Sequence, residues 1–98
     1  MSLEELRRKI DGADRKIVEL IAERIRIAEE IGREKKELAK PVEDAARERI
    51  VLEKVKGIAQ EEKINPEDME NIYRQIMTAC KSVEGMVVAF QGEIGAYS

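Results

Sequence analysis

Residues 3–38 read LEELRRKIDGADRKIVELIAERIRIAEEIGREKKEL, and this stretch decides the fold. Leu3, Leu6, Ile10, Ala13, Ile17, Leu20, Arg24, Ile27, Ile31 and Leu38 are spaced by three, four or seven residues, the seam of a coiled-coil-like helix. Most positions between them are Glu, Lys or Arg, all good helix formers. No proline interrupts the run before Pro41, although Gly12 and Gly32 weaken it locally. At 1.5 Å per residue the helix is roughly 55 Å long, about twice the diameter of so small a domain. The rest of the chain is too short to cover such a stripe. A second copy of the chain is therefore expected against it, so length and periodicity predict a dimer.

Working outward, Lys40-Pro41 ends the first helix, because proline biases the residue before it away from the helical region. A second helix is expected from Glu43 or Asp44, with acids at its positive end. Its apolar face is Ala46 or Arg47, Ile50, Val51, Val55, Ile58 and Ala59, and it fades at Glu61 to Lys63. Asn65-Pro66-Glu67-Asp68 is the strongest helix start in the chain: an N-cap, a first-turn proline and two acids. The third helix buries Met69, Ile72, Tyr73, Ile76, Met77, Cys80 and Val83, and Gly85 suits its C-terminal stop. Met86 to Phe90 then reads as a β-branched strand leading into a glycine turn. A lone strand cannot satisfy its backbone. In this chain residues 86–98 are therefore expected to pack loosely or to extend helix three.

Composition agrees with an all-α chain and narrows its chemistry. Only 3% of residues are aromatic and 40% are charged, which argues against an all-β fold. About a hundred residues form one domain with a small core. Histidine is absent and cysteine occurs once. Ser-His-Asp triads, Cys-His pairs, histidine metal sites and internal disulfides are thereby excluded. Chemistry must rest on Arg, Lys, carboxylates, a hydroxyl or a thiol. A net charge of −3 disfavours nucleic acid as a partner. The N-terminus lacks the apolar core of a signal peptide, and no apolar run approaches a membrane span. A cytoplasmic protein is expected.

Several polar residues break the apolar pattern. Arg24 occupies the seam of helix one, and Lys35 projects from the same side about 16 Å further along. Arg47 heads the apolar stripe of helix two, flanked by Asp44 and Glu48. Cys80 and Glu84 lie four apart on helix three, with Glu84 near the negative end of the helix dipole. Each has an ordinary structural reading: a snorkelling arginine, a solvated lysine, a surface ion cluster, a small core thiol. Together they put polar groups on the inward faces of all three helices, which is how a bundle builds a site for a small anion.

Leu6-Arg7-Arg8-Lys9-Ile10-Asp11, Asp14, Leu20 to Arg24, Ile31-Gly32 and Lys35 resemble the all-helical family of chorismate mutases. Pro41 to Glu48 and Ile72 to Met77 continue the resemblance in register, so that it covers about residues 3–85. It implies an intertwined homodimer of three-helix chains, with antiparallel first helices and two sites built from both chains. It also implies the pericyclic rearrangement of chorismate to prephenate in aromatic amino-acid biosynthesis, with no cofactor and no metal. That step transfers no obligatory proton, so a chain without histidine can carry it. The flexible enolpyruvyl arm must be held over the ring, and charge developing on the ether oxygen must be stabilised.

By resemblance, Arg24 and Arg7 grip carboxylates, for which guanidinium forks are suited. Arg7 and Arg24 stand about 25 Å apart on one helix, so Arg7 would come from the partner chain. Lys35 and Glu84 match the two donors to the ether oxygen, Arg47 a residue near a carboxylate and the hydroxyl end, and Asp44 and Glu48 residues around the ring hydroxyl. Two positions depart from the familiar form. Cys80 stands where a serine is frequent, a weaker hydrogen-bonding group. Glu84 stands where glutamine or glutamate occurs, and a glutamate donates only when protonated, which would make activity rise toward acid pH.

Val88 to Ser98 resembles the opening strand and loop of prephenate dehydratase domains. The expected organisation is therefore a mutase domain over residues 1–85 followed, over 86–98, by the start of a truncated dehydratase-like segment of a bifunctional enzyme. A non-catalytic helical dimerisation or regulatory module, or an isochorismate pyruvate lyase, are the competing readings. Retention of Arg7, Arg24, Lys35 and Arg47 together favours the enzyme over the inert module.

Overall fold

A computed structural model describes the backbone of residues 1–97 and the side chains of residues 1–89. The chain is all-α and measures 58 × 30 × 15 Å, its long dimension set by the first of three helices. Helix α1 spans Leu3–Glu37. The Ser2 side chain accepts from the Glu5 amide at 3.1 Å, Glu4 and Glu5 complement the positive end, and Lys35 and Lys36 the negative end. The chain then reverses through Ala39, whose φ of 54° is left-handed, and the Lys40 amide donates to the Lys35 carbonyl at 2.8 Å. Pro41 follows, in keeping with the exclusion of Lys40 from a continuing helix.

Helix α2 spans Ala45–Glu61, and Asp44 caps it by accepting from the Arg47 amide at 3.0 Å. Helix α3 spans Pro66–Tyr97. Asn65 accepts from the amides of Glu67 at 2.8 Å and Asp68 at 3.2 Å, the expected start. Helices α1 and α2 each pack on α3 and not on each other. The gap left between them over α3 positions the site.

The buried core is small: Ala28, Leu52, Val55, Ala59, Met77, Cys80, Glu84 and Val87, with Gly32. All of α1's share lies in its second half. Leu3, Leu6, Ile10, Ile17 and Leu20 are exposed in the single chain, Leu20 at 63%. The seam predicted from periodicity is thus present as an apolar stripe without a partner in this chain.

Five expectations are corrected. Met86 to Phe90 is helix, not strand, and Gly85 does not stop α3. Met77, Cys80, Glu84 and Val87 keep one helical face buried, and a β-branched run without a second strand gains more by continuing that face. Because α3 runs on to Tyr97, Glu84 is internal to the helix and not at its negative end. On α2, Leu52 takes the buried position, while Ile50 and Ile58 are about half exposed. On α3, Ile72 is likewise exposed. Of the alternatives for residues 86–98, the backbone follows helix extension through Tyr97. The packing of side chains from 90 onward lies outside the described residues.

Candidate active site

The gap between α1 and α2 is a cavity of about 460 Å³, within the range of small-molecule sites. Its floor is α3, with Met77, Cys80, Lys81 and Glu84. One wall is α1, with Arg24 and Lys35 set among Ile27, Ala28 and Ile31. The facing wall is α2, with Arg47, Glu48 and Val51, and the α1–α2 connection closes the end with Val42 and Asp44. The α1 wall is open in the single chain, with Ile27 47% and Ile31 43% exposed.

Helical register explains the convergence. Arg24, Ile27, Ala28, Ile31 and Lys35 follow three- and four-residue steps, so one face of α1 carries a cation at each end of an apolar strip. Gly32 allows close contact: a β-carbon there would lie 3.2 Å from the Glu84 α-carbon and from its carbonyl oxygen. That approach lets Lys35 and Glu84 meet across the two helices.

Lys35 Nζ donates to Glu84 Oε1 at 2.7 Å and to the Val42 carbonyl at 2.8 Å. Glu84 is 8% exposed, so this pair is largely withdrawn from water. Arg24 donates through a terminal nitrogen to Cys80 Sγ at 3.0 Å, and its guanidinium carbon stands 5.5 Å from the centre of the Tyr73 ring, within cation–π range. The Asp44 carboxylate is engaged in capping α2 through the Arg47 amide. Among the described residues, neither Arg24 nor Arg47 has a carboxylate within salt-bridge distance. Two guanidinium groups thus border a cavity whose carboxylates, Asp44, Glu48 and Glu84, are not in ion-pair contact with them.

Seven of the eight candidate residues from sequence line this cavity: Arg24, Lys35, Asp44, Arg47, Glu48, Cys80 and Glu84. Arg7 does not. It lies on the exposed first half of α1, about 25 Å from Arg24 along the helix. Sequence reasoning missed Lys81, whose Nζ lies 2.9 Å from Glu48 Oε1 and 3.1 Å from Glu43 Oε1. The Lys81 hydrogen bond holds the Glu48 carboxyl below the usual carboxylate range, and the same contact raises the Lys81 ammonium above the usual lysine value. Its position four after Met77 and three before Glu84 was the available signal. The Val42 carbonyl and the Tyr73 ring were also missed as partners, the first because backbone acceptors leave no trace in residue type.

Residues 6–85 match the family described as Chorismate mutase type II. A bifunctional chorismate mutase/prephenate dehydratase of Aquifex aeolicus is 36% identical over 94 residues, covering 92% of this chain and 26% of its own length. A similarly named protein of Stutzerimonas stutzeri is 33% identical, covering 98% of this chain and 28% of its own length. A chorismate mutase of Methanocaldococcus jannaschii is 35% identical over 63 residues, 64% of each chain. The chain therefore spans about a quarter of the bifunctional relatives' length. Among solved structures, a conserved hypothetical protein from Pyrococcus furiosus superposes with a TM-score of 0.68 at 36% identity, over 84% of this chain and 93% of that one. Since the family match runs from the first turns of α1 through α2 to the cavity-lining turns of α3, the chain belongs to the type II chorismate mutase family.

Proposed function

We propose that this chain catalyses the rearrangement of chorismate to prephenate in aromatic amino-acid biosynthesis. The observation that carries the proposal is the pair of guanidinium groups, Arg24 and Arg47, left without carboxylate partners beside an apolar cavity that also holds Lys35. Chorismate is a dianion with an ether bond to break, and these groups fit it.

Arg24 grips one carboxylate, steadied from behind by Cys80 and Tyr73. Arg47 serves the other end of the substrate. Holding both ends brings the enolpyruvyl arm over the ring, so that much of the acceleration comes from orientation. Lys35 donates to the ether oxygen as its bond to the ring breaks and negative charge gathers there. The Lys35 ammonium is fixed in advance by Glu84 and the Val42 carbonyl, so little reorganisation accompanies the step. Glu84 is the second donor, and a carboxyl donates only when it holds its proton. Glu48 accepts from the ring hydroxyl. Asp44 orders that end by capping α2 beneath Arg47.

The active form is a homodimer in which Arg7 of the partner chain completes each site. The exposed stripe Leu3, Leu6, Ile10, Ile17 and Leu20 supports this reading, because antiparallel pairing of α1 covers it and carries Arg7 toward the other chain's cavity. Residues 86–98 are the start of a dehydratase-like segment. The bifunctional relatives support that assignment by matching 92% and 98% of the chain. Through the buried Val87, α3 also serves the helical core past Gly85.

The test is loss of chorismate absorbance by the purified chain, with acid conversion of the product to phenylpyruvate. A folded dimer that leaves chorismate unchanged overturns the proposal. Release of pyruvate from isochorismate in its place assigns the site to the related lyase.

A further inference from the structure

Lys81 is the one charged lining residue without a part in the reaction so far. It rises from α3 between two carboxylates on separate elements: Glu48 of α2 at 2.9 Å and Glu43 of the α1–α2 connection at 3.1 Å. It thus ties both the second wall of the cavity and its end to the floor. Its side chain is 31% exposed and that of Glu48 26%, so the pair stands at the rim and within reach of a bound molecule.

We propose that Lys81 is a positioning residue for the rearrangement, a clamp that fixes Glu48 as the acceptor of the substrate's ring hydroxyl and screens its charge from the dianionic substrate. The inference rests on the mutase reading. A glutamate at a cavity rim has three rotatable bonds and no reason to keep one orientation, whereas productive geometry needs tolerances of about half an ångström. The charge balance has the same logic. Glu48 is matched by Lys81, and among the described residues neither Arg24 nor Arg47 has a carboxylate within salt-bridge distance, which leaves both guanidinium groups for two substrate carboxylates. Without Lys81, Glu48 is an unmatched anion facing an anionic ligand.

The groups around Glu48 agree. From α3, Lys81 and Arg74 act on it, and both favour its charged form. From the connection comes Glu43, itself held by Lys81. From α1, Arg24 and Lys35 line the same cavity. Lys81 is the nearest cation to Glu48 and its only salt-bridge partner among the described residues.

The experiment compares the whole chain with Lys81→Gln and Lys81→Arg, each in wild-type and Glu48→Gln backgrounds. It follows kcat and KM for chorismate and the pH titration of the Glu48 carboxyl by carbon NMR. Lys81→Gln is expected to raise KM about fivefold with kcat changed less than about twofold, the scale of a partly exposed ion pair. Lys81→Arg restores KM. In the Glu48→Gln background Lys81→Gln adds no further increase, since residues acting as one unit are not additive. The Glu48 titration moves to higher pH in Lys81→Gln and returns in Lys81→Arg. Equal KM effects in both backgrounds, or an unmoved Glu48 titration in an active enzyme, overturn the clamp. A chain in which the titration moves as described but chorismate is untouched overturns the mutase reading and with it the role assigned to Lys81.

Discussion

Replacement of Gly32 by alanine tests the contact on which the site's geometry depends. A β-carbon at Gly32 lies 3.2 Å from the Glu84 α-carbon, 3.2 Å from the Glu84 carbonyl oxygen and 3.2 Å from the Val87 β-carbon. Two of these are backbone atoms and cannot rotate away, so α3 itself must yield. Gly57 in α2 is the matched control, since a methyl group added there meets nothing within 4 Å. Alanine gains about 1 kcal/mol over glycine in a helix interior at either place. Overpacking costs about 1–3 kcal/mol at Gly32 alone. Gly57→Ala should therefore be stabilised by about 1 kcal/mol, and Gly32→Ala should run from neutral to about 2 kcal/mol destabilised. The propensity gain cancels in the comparison, so the difference of about 1–3 kcal/mol isolates the close approach. The assay is urea unfolding at one fixed chain concentration, because association couples to stability. Activity should follow: a displaced α3 lengthens the 2.7 Å Lys35–Glu84 bridge, so kcat/KM falls in Gly32→Ala and holds in Gly57→Ala. Equal unfolding midpoints for the two variants would refute the reasoning.

Other outcomes test the site and the assembly. Arg24→Ala should lower kcat/KM at least about a hundredfold if the guanidinium grips a carboxylate, and a loss under about threefold would return Arg24 to a packing role. Glu84→Gln, whose amide always carries a donor, should keep kcat/KM within about tenfold of the wild type, whereas Glu84→Ala should lose at least about a hundredfold; equal losses in the two variants would dismiss the donor role. Mixing inactive Arg7→Ala and Arg24→Ala chains should recover about one quarter of wild-type activity, since half the dimers are mixed and each holds one intact site; no recovery would remove Arg7 from the partner's site. Stability should fall toward acid pH, because hydrogen bonds from Lys81 to Glu48 and from Arg74 to Glu70 hold both carboxyls below their ordinary value. Their contribution is present above the ordinary carboxylate range and is lost as pH falls through the lowered values. Glu70 and Glu48 raise Lys56 and Lys81 in turn, so that contribution is full below the ordinary lysine value and is lost as pH rises through the raised ones. Urea midpoints measured across pH check both limbs, and a midpoint that climbs on acidification contradicts the first.

Much of the fold was legible because helices announce themselves locally. The seam of α1, the Asn65 start and the end of α1 ahead of Pro41 depend on neighbours within one or two turns, and all appear where the residues indicate. The run Met86 to Phe90 misled because its β-branched residues favour strands only when another strand is present, and α1 offered Val87 a helical packing face instead. The choice of Leu52 over Ile50 and Ile58 was equally out of reach, since a helix rich in apolar residues leaves its rotation to the surface it meets.

For the site, residue type and spacing singled out Arg24, Lys35, Asp44, Arg47, Glu48, Cys80 and Glu84 as polar breaks in the helical pattern, and the family resemblance suggested their roles. Their partners were not legible. That Lys35 spans Glu84 and Val42, that Arg24 rests on Cys80 and Tyr73, and that Lys81 holds Glu48 to Glu43 are facts about residues 7 to 56 positions apart. Local periodicity specified three helices, an unpaired apolar stripe and the polar groups that interrupt the helical faces. Which charges neutralise one another and which two guanidinium groups stay available emerged with the folded arrangement, because that pairing depends on helix rotation and on the close approach Gly32 permits.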